Sequence, residues 1–185
     1  MGIFKFTPTG LKGLCIIEPH IFKDQRGYFM ETYHGEVFAQ AGVNASFAQD
    51  NQSCSTRGVL RGLHFQYRYP QGKLVRVLKG EIFDVTVDLR KDADTFGKWF
   101  GIFLSEENKK QLYVPEGFAH GFLVTSDFAE VSYKCTDYYK ADDEGGILWN
   151  DPDIGIKWPL ETMDTVLLSE KDKKWKRLKE TPIDF

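Results

Sequence analysis

Apolar and polar residues alternate with a period of two along much of this chain, which is the pattern that β-strands produce. The clearest case is residues 82–89, where IFDVTVDL has apolar side chains at every second position and largely polar ones between them. We predict a strand there, with one apolar face and one largely polar face. The apolar-basic run 73–79 comes just before it, and Gly80 and Glu81 between the two runs predict a β-hairpin.

Shorter runs of the same kind predict further strands. They lie around residues 14–18, 28–33, 58–66, 98–104, 111–114, 119–125 and 129–136. Helical signals are few: residues 36–41 predict a short helix ending at Gly42, and Ser169, with Asp172 three residues later, predicts another helix start. Many short strands indicate an all-β sandwich or barrel with a few short peripheral helices, and a jelly roll is one such solution. We expect the Lys- and Glu-rich tail after Pro159 to pack over the barrel.

Length and composition fit a single globular domain over residues 1–185, with 42% hydrophobic and 28% charged residues. The net charge of −3 argues against binding to nucleic acid or to an anionic membrane, so an anionic ligand would need a local cluster of Lys and Arg. Cys15, Cys54 and Cys135 are widely spaced and indicate no disulfide framework, which favours a reducing compartment. No apolar run resembles a signal peptide or a membrane span, so we expect a cytoplasmic protein.

The segment VLRGLHFQ, residues 59–66, contains the first candidates for chemistry. Strict alternation would place His64 on one face of a strand and Arg61 on the other. Both could serve one pocket only if the strand bulges or bends, and Gly62 is where that could happen. An isolated histidine in a strand is more often a hydrogen-bonded structural residue than a catalyst, so this segment alone leaves both interpretations open.

Lys73 and Tyr133 both have the parity of inward-facing residues. Lys73 shares its parity with two valines of its own run, and Tyr133 shares its parity with Val131 and Cys135. A lysine among inward valines is costly unless its charge has a partner or a function. The alternative is a position at the rim of the sheet with the ammonium group in water. Tyrosine is common in protein cores, so Tyr133 by itself decides nothing.

In the segment VPEGFAHGF, residues 114–122, the spacing Pro115-x-Gly117-x-x-His120 matches the second cupin motif, in which the histidine points into a β-barrel. Metal-binding cupins combine this motif with a His-x-His pair and a glutamate in the first motif. Here the corresponding stretch begins at His64, and Gln66 stands in place of the second histidine. Two histidines without a carboxylate make a poor set for a divalent metal, so we predict no metal site.

Asp172 ends the segment LLSEKD, residues 167–172. A carboxylate beside a histidine can fix the tautomer of the imidazole and raise its basicity. The spacing along the chain does not show whether Asp172 meets His64. Taken alone, the segment is typical of a solvated helix start.

Together these segments resemble the dTDP-4-dehydrorhamnose 3,5-epimerase family, cupin-type enzymes of dTDP-L-rhamnose synthesis. The resemblance runs from about Gly13 to Asp172. Its longest blocks are DQRGYFMETY at 24–33, GVLRGLHFQ at 58–66, QGKLVRVLKGEIFDVTVDLR at 71–90, LSEENKKQLYVPEGFAHGFLV at 104–124 and WNDPDIGIKWPL at 149–160. Ordered blocks of this length are a specific signal, and they imply a cupin-type jelly-roll β-barrel.

The resemblance also implies a role for each matching residue. His64 matches the base that abstracts a proton, Asp172 the carboxylate paired with it, and Tyr133 the acid that returns a proton on the opposite face. Lys73 and His120 match residues beside the substrate, where a cation can stabilise an enolate oxygen. The remaining matches are contacts to the nucleotide sugar: Arg26, Glu31, Gln49, Asn51, Arg61, Glu144 and Lys171, with Phe29 and Tyr139 as aromatic contacts.

The implied reaction is epimerisation at C3 and C5 of dTDP-4-dehydro-6-deoxy-D-glucose to dTDP-4-dehydro-L-rhamnose, by proton abstraction beside the C4 ketone. No cofactor is implied, because the ketone itself accepts the electrons. The family's homodimer, whose sites draw on both chains, implies a dimer here. The alternatives are a C3-only epimerase of another deoxysugar pathway, a non-catalytic sugar-nucleotide-binding cupin and, weakened by Gln66, a metal-dependent cupin oxygenase.

Overall fold

The computed structural model of the chain describes residues 2–161, 163–183 and 185, and these residues are almost entirely in strands and loops. The strands are β1 (Phe4–Pro8), β2 (Cys15–Pro19), β3 (Phe22–Asp24), β4 (Gly27–Phe29), β5 (Gln49–Thr56), β6 (Leu60–Gln66), β7 (Lys73–Lys79), β8 (Glu81–Asp88), β9 (Trp99–Ser105), β10 (Gln111–Val114), β11 (Phe118–Val124), β12 (Phe128–Cys135) and β13 (Glu144–Gly146). One α-helix, α1, covers Gly35–Gln40, and short 3-10 turns cover Ala141–Asp143, Asp172–Lys174 and Leu178–Glu180. The predicted all-β class with a few short helices is confirmed.

Two antiparallel sheets face each other. The first has the strand order β1-β2-β10-β7-β12-β5 and the second the order β13-β6-β11-β8-β9, while β3 and β4 pair only with each other. An apolar core lies between the two sheets, where Val75 and Val131 of the first sheet pack with Ile82 and Phe122 of the second. The chain crosses repeatedly from one sheet to the other between strands, which gives the jelly-roll arrangement.

Strand β8 is buried on both faces. Phe83, Val85 and Val87 lie on the outer face of the second sheet, in a core that includes Trp158 and, from the tail after Pro159, Ile183. The tail therefore packs over the barrel as predicted. The polar positions between these apolar residues point to the inside of the barrel, and the side chains of Asp84, Thr86 and Asp88 are fully buried.

The predicted hairpin between residues 73–79 and the strand that follows is wrong. Strand β7 pairs with β10 and β12, whereas β8 pairs with β9 and β11 in the other sheet. The turn at Gly80 has φ +73, and its N–H and C=O bond to Glu106 instead of to β8. The turn thus moves the chain from one sheet to the other.

Other local predictions hold in part. Helix α1 lies where residues 36–41 predicted it, and Gly42 follows it in the left-handed region. Ser169 Oγ accepts the backbone N–H of Asp172 at 3.1 Å, but a single 3-10 turn follows in place of a longer helix. The strand expected over 28–33 is confined to Gly27–Phe29. Strand β5 was not predicted, because its sequence QDNQSCST has no apolar alternation.

Candidate active site

A cavity of about 710 Å³ opens between the two sheets. His64, Lys73, Tyr133 and Asp172 all line it. The other predicted site residues that line it are Gln49, Asn51, Arg61, His120, Tyr139, Glu144 and Lys171. A cavity of this size suits a ligand as large as a nucleotide sugar.

A bulge in strand β6 brings Arg61 and His64 to the same cavity. The register between β6 and β11 shifts between His120, which pairs with His64, and Phe122, which pairs with Arg61. Gly62 lies at the shift with φ +138, and a Cβ there would lie 2.6 Å from the Cα of Gly121. Only glycine fits both the backbone conformation and the close approach. The bend predicted at Gly62 is confirmed.

His64 and Asp172 form a close pair. Nε2 of His64 lies 2.6 Å from Oδ1 of Asp172, a carboxylate that is 2% exposed. An ionised carboxylate can only accept, so Nε2 carries the hydrogen and Nδ1 the free lone pair. Burial raises the pKa of Asp172, but the hydrogen bond and charge of His64, with hydrogen bonds to Ser169 and Trp175, outweigh it and lower that pKa below its usual value. The carboxylate is therefore ionised at neutral pH.

His120 has a buried carboxylate of its own. Its Nε2 lies 2.8 Å from Oδ2 of Asp84, on the neighbouring strand β8. Among the described residues, Oδ1 of Asp84 has no hydrogen-bond partner and is buried. Sequence reasoning missed Asp84, although its polar side chain on the inward face of a buried strand was a visible signal.

Lys73 and Tyr133 reach the cavity from the facing sheet. They lie on the adjacent strands β7 and β12, where Lys73 pairs with Cys135 and Tyr133 with Val75. Burial lowers the pKa of the Lys73 ammonium, opposed by the negative charges of Asp84 and Glu144. Burial is also the main cause that raises the pKa of the Tyr133 hydroxyl. The Tyr133 hydroxyl is therefore protonated at neutral pH. Lys73 lines the cavity beside it.

Several hydrogen-bonded polar side chains lie at the rim of the cavity. Oε2 of Glu144 accepts hydrogen bonds from the Tyr139 hydroxyl at 3.0 Å and from Nζ of Lys171 at 2.6 Å. Gln49 accepts the backbone N–H of Tyr139 at 2.9 Å and donates to Asn51 at 2.9 Å. These contacts join β5, the loop before β13 and the C-terminal segment at one edge of the cavity.

Gln66, at the position of a second motif histidine, is held by the backbone. Its Nε2 donates to the carbonyl of Lys140 at 2.9 Å, and its Oε1 accepts the N–H of Lys140 at 3.3 Å. Within residues 2–161, 163–183 and 185, no cluster of three or more His, Cys, Asp or Glu side chains is arranged to hold a metal ion.

Three predicted contacts do not reach this cavity. Arg26 lies in the turn of the β3–β4 hairpin, where its guanidinium binds Asp24, and its side chain is 85% exposed. Phe29, on the same hairpin, is 65% exposed, and Glu31 follows it. The hairpin pairs only with itself, so within one chain it does not bring Arg26, Phe29 or Glu31 to this cavity. Their expected role as substrate contacts stays a prediction.

The fold and the cavity define the class of the protein, a jelly-roll barrel with a polar, ligand-sized cavity between its two sheets. The chain matches the sequence profile of dTDP-4-dehydrorhamnose 3,5-epimerase over residues 8–180. It therefore belongs to the dTDP-4-dehydrorhamnose 3,5-epimerase family, whose members are isomerases. Both the resemblance and the enzyme class expected from the sequence are confirmed.

Individual relatives agree with this assignment. The chain is 57% identical over 183 residues to a dTDP-4-dehydrorhamnose 3,5-epimerase of Methanothermobacter thermautotrophicus, covering 99% of each chain. It is 39% identical over 171 residues to a dTDP-4-dehydrorhamnose 3-epimerase of Streptomyces niveus, covering 91% of this chain and 81% of the relative. Its structure superposes with TM-score 0.93 on a dTDP-6-deoxy-D-glucose-3,5-epimerase of Legionella pneumophila in complex with dTDP-4-keto-L-rhamnose, at 47% identity and 97% and 95% coverage. The cupin-type jelly roll is thereby confirmed. No helix in the described part of the chain is long and apolar enough to cross a membrane.

Proposed function

We propose that this chain epimerises dTDP-4-dehydro-6-deoxy-D-glucose at C3 and C5 to dTDP-4-dehydro-L-rhamnose, in dTDP-L-rhamnose biosynthesis. The observation that carries the proposal is that His64 on one sheet, paired with Asp172 of the C-terminal segment, shares one cavity with Tyr133 and Lys73 on the other sheet. The relative of known structure that binds dTDP-4-keto-L-rhamnose supports the substrate.

His64 is the base. Hydrogens on carbons beside a ketone are acidic because the carbanion delocalises onto the oxygen, and the C4 ketone has two such carbons, C3 and C5. Nδ1 of His64 takes the proton, while Nε2–H stays bound to Asp172, which stabilises the imidazolium that forms. The C–H electron pair forms a double bond to C4, the π pair of the C4 ketone moves onto its oxygen, and the enolate results.

Lys73 and Tyr133 complete the inversion from the facing sheet. The ammonium group of Lys73 stabilises the enolate oxygen more than the ketone, so it lowers the barrier to proton removal. The hydroxyl of Tyr133 then donates a proton to carbon on the face opposite His64 as the C4 ketone re-forms. We propose no cofactor and no metal, because the carbonyl of the substrate is the electron sink.

The charged rim suits the diphosphate of the nucleotide. Arg61 and Lys171 both line the cavity, and Arg61 donates two hydrogen bonds to Oγ of Ser55, at 3.1 and 3.0 Å, which orients its guanidinium group. A guanidinium group binds phosphate oxygens in a bidentate manner. The net charge of −3 makes such a local basic group necessary for an anionic ligand.

The direct test is the configuration of the product. The enzyme is incubated with dTDP-4-dehydro-6-deoxy-D-glucose, the mixture is reduced with borohydride, and the released 6-deoxysugars are separated by configuration at C3 and C5. The proposal expects sugars inverted at both carbons. Sugars inverted at C3 alone would favour the C3-only alternative. The Streptomyces niveus relative, a dTDP-4-dehydrorhamnose 3-epimerase, is an example of that activity. Unchanged configuration at both would favour a non-catalytic binding protein.

We also propose that the enzyme is a homodimer in which the β3–β4 hairpin completes the site of the partner chain. Phe22, Tyr28 and Phe29 on this hairpin are all exposed in the single chain, although they are large apolar side chains. Arg26 and Glu31, which resemble substrate contacts, lie on the hairpin or just after it. A dimer would bury the aromatic residues and bring Arg26 to a ligand.

Mixing two defective variants tests the shared site. His64→Ala lacks the base but has an intact hairpin, and Arg26→Ala has the base but a defective hairpin. After subunit exchange at equal concentrations, about one quarter of the sites should be intact, because half of the dimers are mixed and each contains one complete site. Recovery to that level supports the proposal, and a mixture no more active than its components contradicts it. The cytoplasmic location stays a prediction.

A further inference from the structure

Asp172 lies on a segment outside both sheets that is fixed at its two ends. The backbone N–H of Leu60 donates to the carbonyl of Leu167 at 2.9 Å, and that of Leu148 donates to the carbonyl of Lys176 at 2.8 Å. Between these anchors the chain has only the 3-10 turn Asp172–Lys174. No strand pairing fixes the direction of the Asp172 carboxylate, so it depends on the side chains that bond to it.

The side chain of Trp175 supplies such a contact. Its indole Nε1 donates to Oδ1 of Asp172 at 3.2 Å, and this is the same oxygen that binds Nε2 of His64 at 2.6 Å. The rings of Trp175 and His64 also meet edge to face, with centroids 6.3 Å apart. An indole N–H can only donate, so it holds the oxygen in its accepting role. Trp175 itself does not line the cavity.

Gly146 makes room for this arrangement. It lies on β13 directly opposite His64, and a Cβ at Gly146 would come within 2.3 to 2.5 Å of three atoms of the indole ring. The φ angle of Gly146 is outside the left-handed region, so an alanine there would meet no backbone strain. The absence of a side chain is what lets the indole lie beside the His64–Asp172 pair.

We propose that Trp175, seated over Gly146, is a positioning residue that orients the Asp172 carboxylate toward His64 and so supports the base. The inference rests on the proposed function, in which His64 removes the proton. Because the indole acts through the carboxylate and does not touch the substrate, its loss should lower kcat and leave KM nearly unchanged. A residue that only stabilised the fold would not produce that division.

The first test is kinetic. Trp175→Phe keeps an aromatic ring and removes the N–H, and we expect kcat to fall about 10-fold, as for the loss of one hydrogen bond to a charged group. Gly146→Ala should reproduce the loss by displacing the indole. Trp158→Phe is the matched control, because Trp158 Nε1 donates to the backbone carbonyl of Trp149 at 2.9 Å, away from the pair. The control should retain the wild-type kcat.

A double-mutant cycle shows whether Trp175 acts through Asp172. In an Asp172→Asn background, Trp175→Phe should lower kcat no further, because the carboxylate that it orients is gone. A full additional loss in that background, or wild-type kcat in Trp175→Phe, would overturn the inference.

The second test does not depend on turnover. The chain has 4 histidines, so ¹⁵N spectra of the imidazoles are simple, and His64→Gln assigns the signals of His64. The Nε2 shift of His64 should move in Trp175→Phe and stay in Trp158→Phe. Unchanged His64 signals in Trp175→Phe would contradict the inference even if the wild type turned over substrate. If the wild type were inactive but the His64 signal still moved in Trp175→Phe, the proposed function would be refuted and the positioning contact would stand.

Discussion

His64 and His120 lie directly opposite each other on neighbouring strands, and each has Nε2 within hydrogen-bond distance of a buried aspartate. The two carboxylates come from different places. Asp84, beside His120, is on the next strand of the same sheet, whereas Asp172 is 108 residues from His64 along the chain. The barrel thus fixes one histidine internally and leaves the other to the C-terminal segment, which also supplies Lys171 to the cavity.

His64 and Tyr133 should have separable roles. In His64→Ala, epimerisation should fall by a factor of about 100 or more, since a positioned general base is worth that much. Tyr133→Phe should also suppress inversion, but His64 can still remove and return a proton on its own face. That variant should therefore exchange hydrogen with solvent without inverting the carbon.

Solvent exchange followed by NMR, with dTDP affinity measured by calorimetry, checks both variants. Binding of dTDP should be largely intact in each. Tyr138→Phe is the control, because Tyr138 is 63% exposed and does not line the cavity. Near-normal turnover in either site variant would show that its assigned role is wrong.

Lys73 should be required for catalysis in its charged form. Lys73→Met should raise the barrier by roughly 2.7–4 kcal/mol, the usual cost of removing a preorganised oxyanion donor. Burial lowers the pKa of Lys73, so the ammonium group is charged below that lowered value and the rate should decline as pH rises through it. The measurement is kcat against pH for the wild type and the Met variant. An unchanged kcat in Lys73→Met would exclude the oxyanion role.

Asp88 should stabilise the fold in a pH-dependent way. Its fully buried carboxylate accepts hydrogen bonds from Arg90 and Thr95, and Asp88→Asn should cost about 3 kcal/mol, as breaking a buried ion pair does. Burial raises the pKa of Asp88, but these hydrogen bonds outweigh it and the net pKa is lowered. The stabilisation is therefore fully present above the unfolded-state value of about 3.9 and is lost as pH falls through the lower folded-state pKa.

Urea unfolding of the wild type and Asp88→Asn at several pH values tests this. The difference in free energy of unfolding should be constant from neutral pH down to about 5 and shrink below about 4. Asp94→Asn, an exposed carboxylate in the following loop, is the control and should show a small difference throughout. A difference between wild type and Asp88→Asn that does not depend on pH would contradict the assignment.

The sequence predicted where strands lie better than which strands pair with each other. Alternation located β8, yet nothing local showed that the turn at Gly80 passes to the other sheet, because sheet membership is decided by distant pairings. Strand β5 escaped prediction because its pairing with β12 is made by the backbone, and its polar side chains leave no apolar period. By contrast, the bend at Gly62 followed from the need to bring Arg61 to the face of His64.

The residues of the candidate site were predictable from residue type and resemblance. The contacts that hold those residues in place were not. His64, Lys73 and Tyr133 stood out by parity or motif, whereas contacts such as Trp175 to Asp172 depend on where the tail folds back. The hairpin with Arg26 shows the opposite limit. Resemblance implied a substrate contact for Arg26 that a single chain does not make, and we propose that a second copy supplies it.

Deuterium incorporation tests the central claim most directly, because the account rests on removal of protons from C3 and C5 by His64. The enzyme is incubated with dTDP-4-dehydro-6-deoxy-D-glucose in D₂O, with His64→Ala in parallel, and NMR locates the label. The account predicts deuterium at both C3 and C5 with the wild type and at neither carbon with His64→Ala. Label at C3 alone would contradict the double epimerisation, and label at neither carbon with the wild type would contradict the enzymatic role itself.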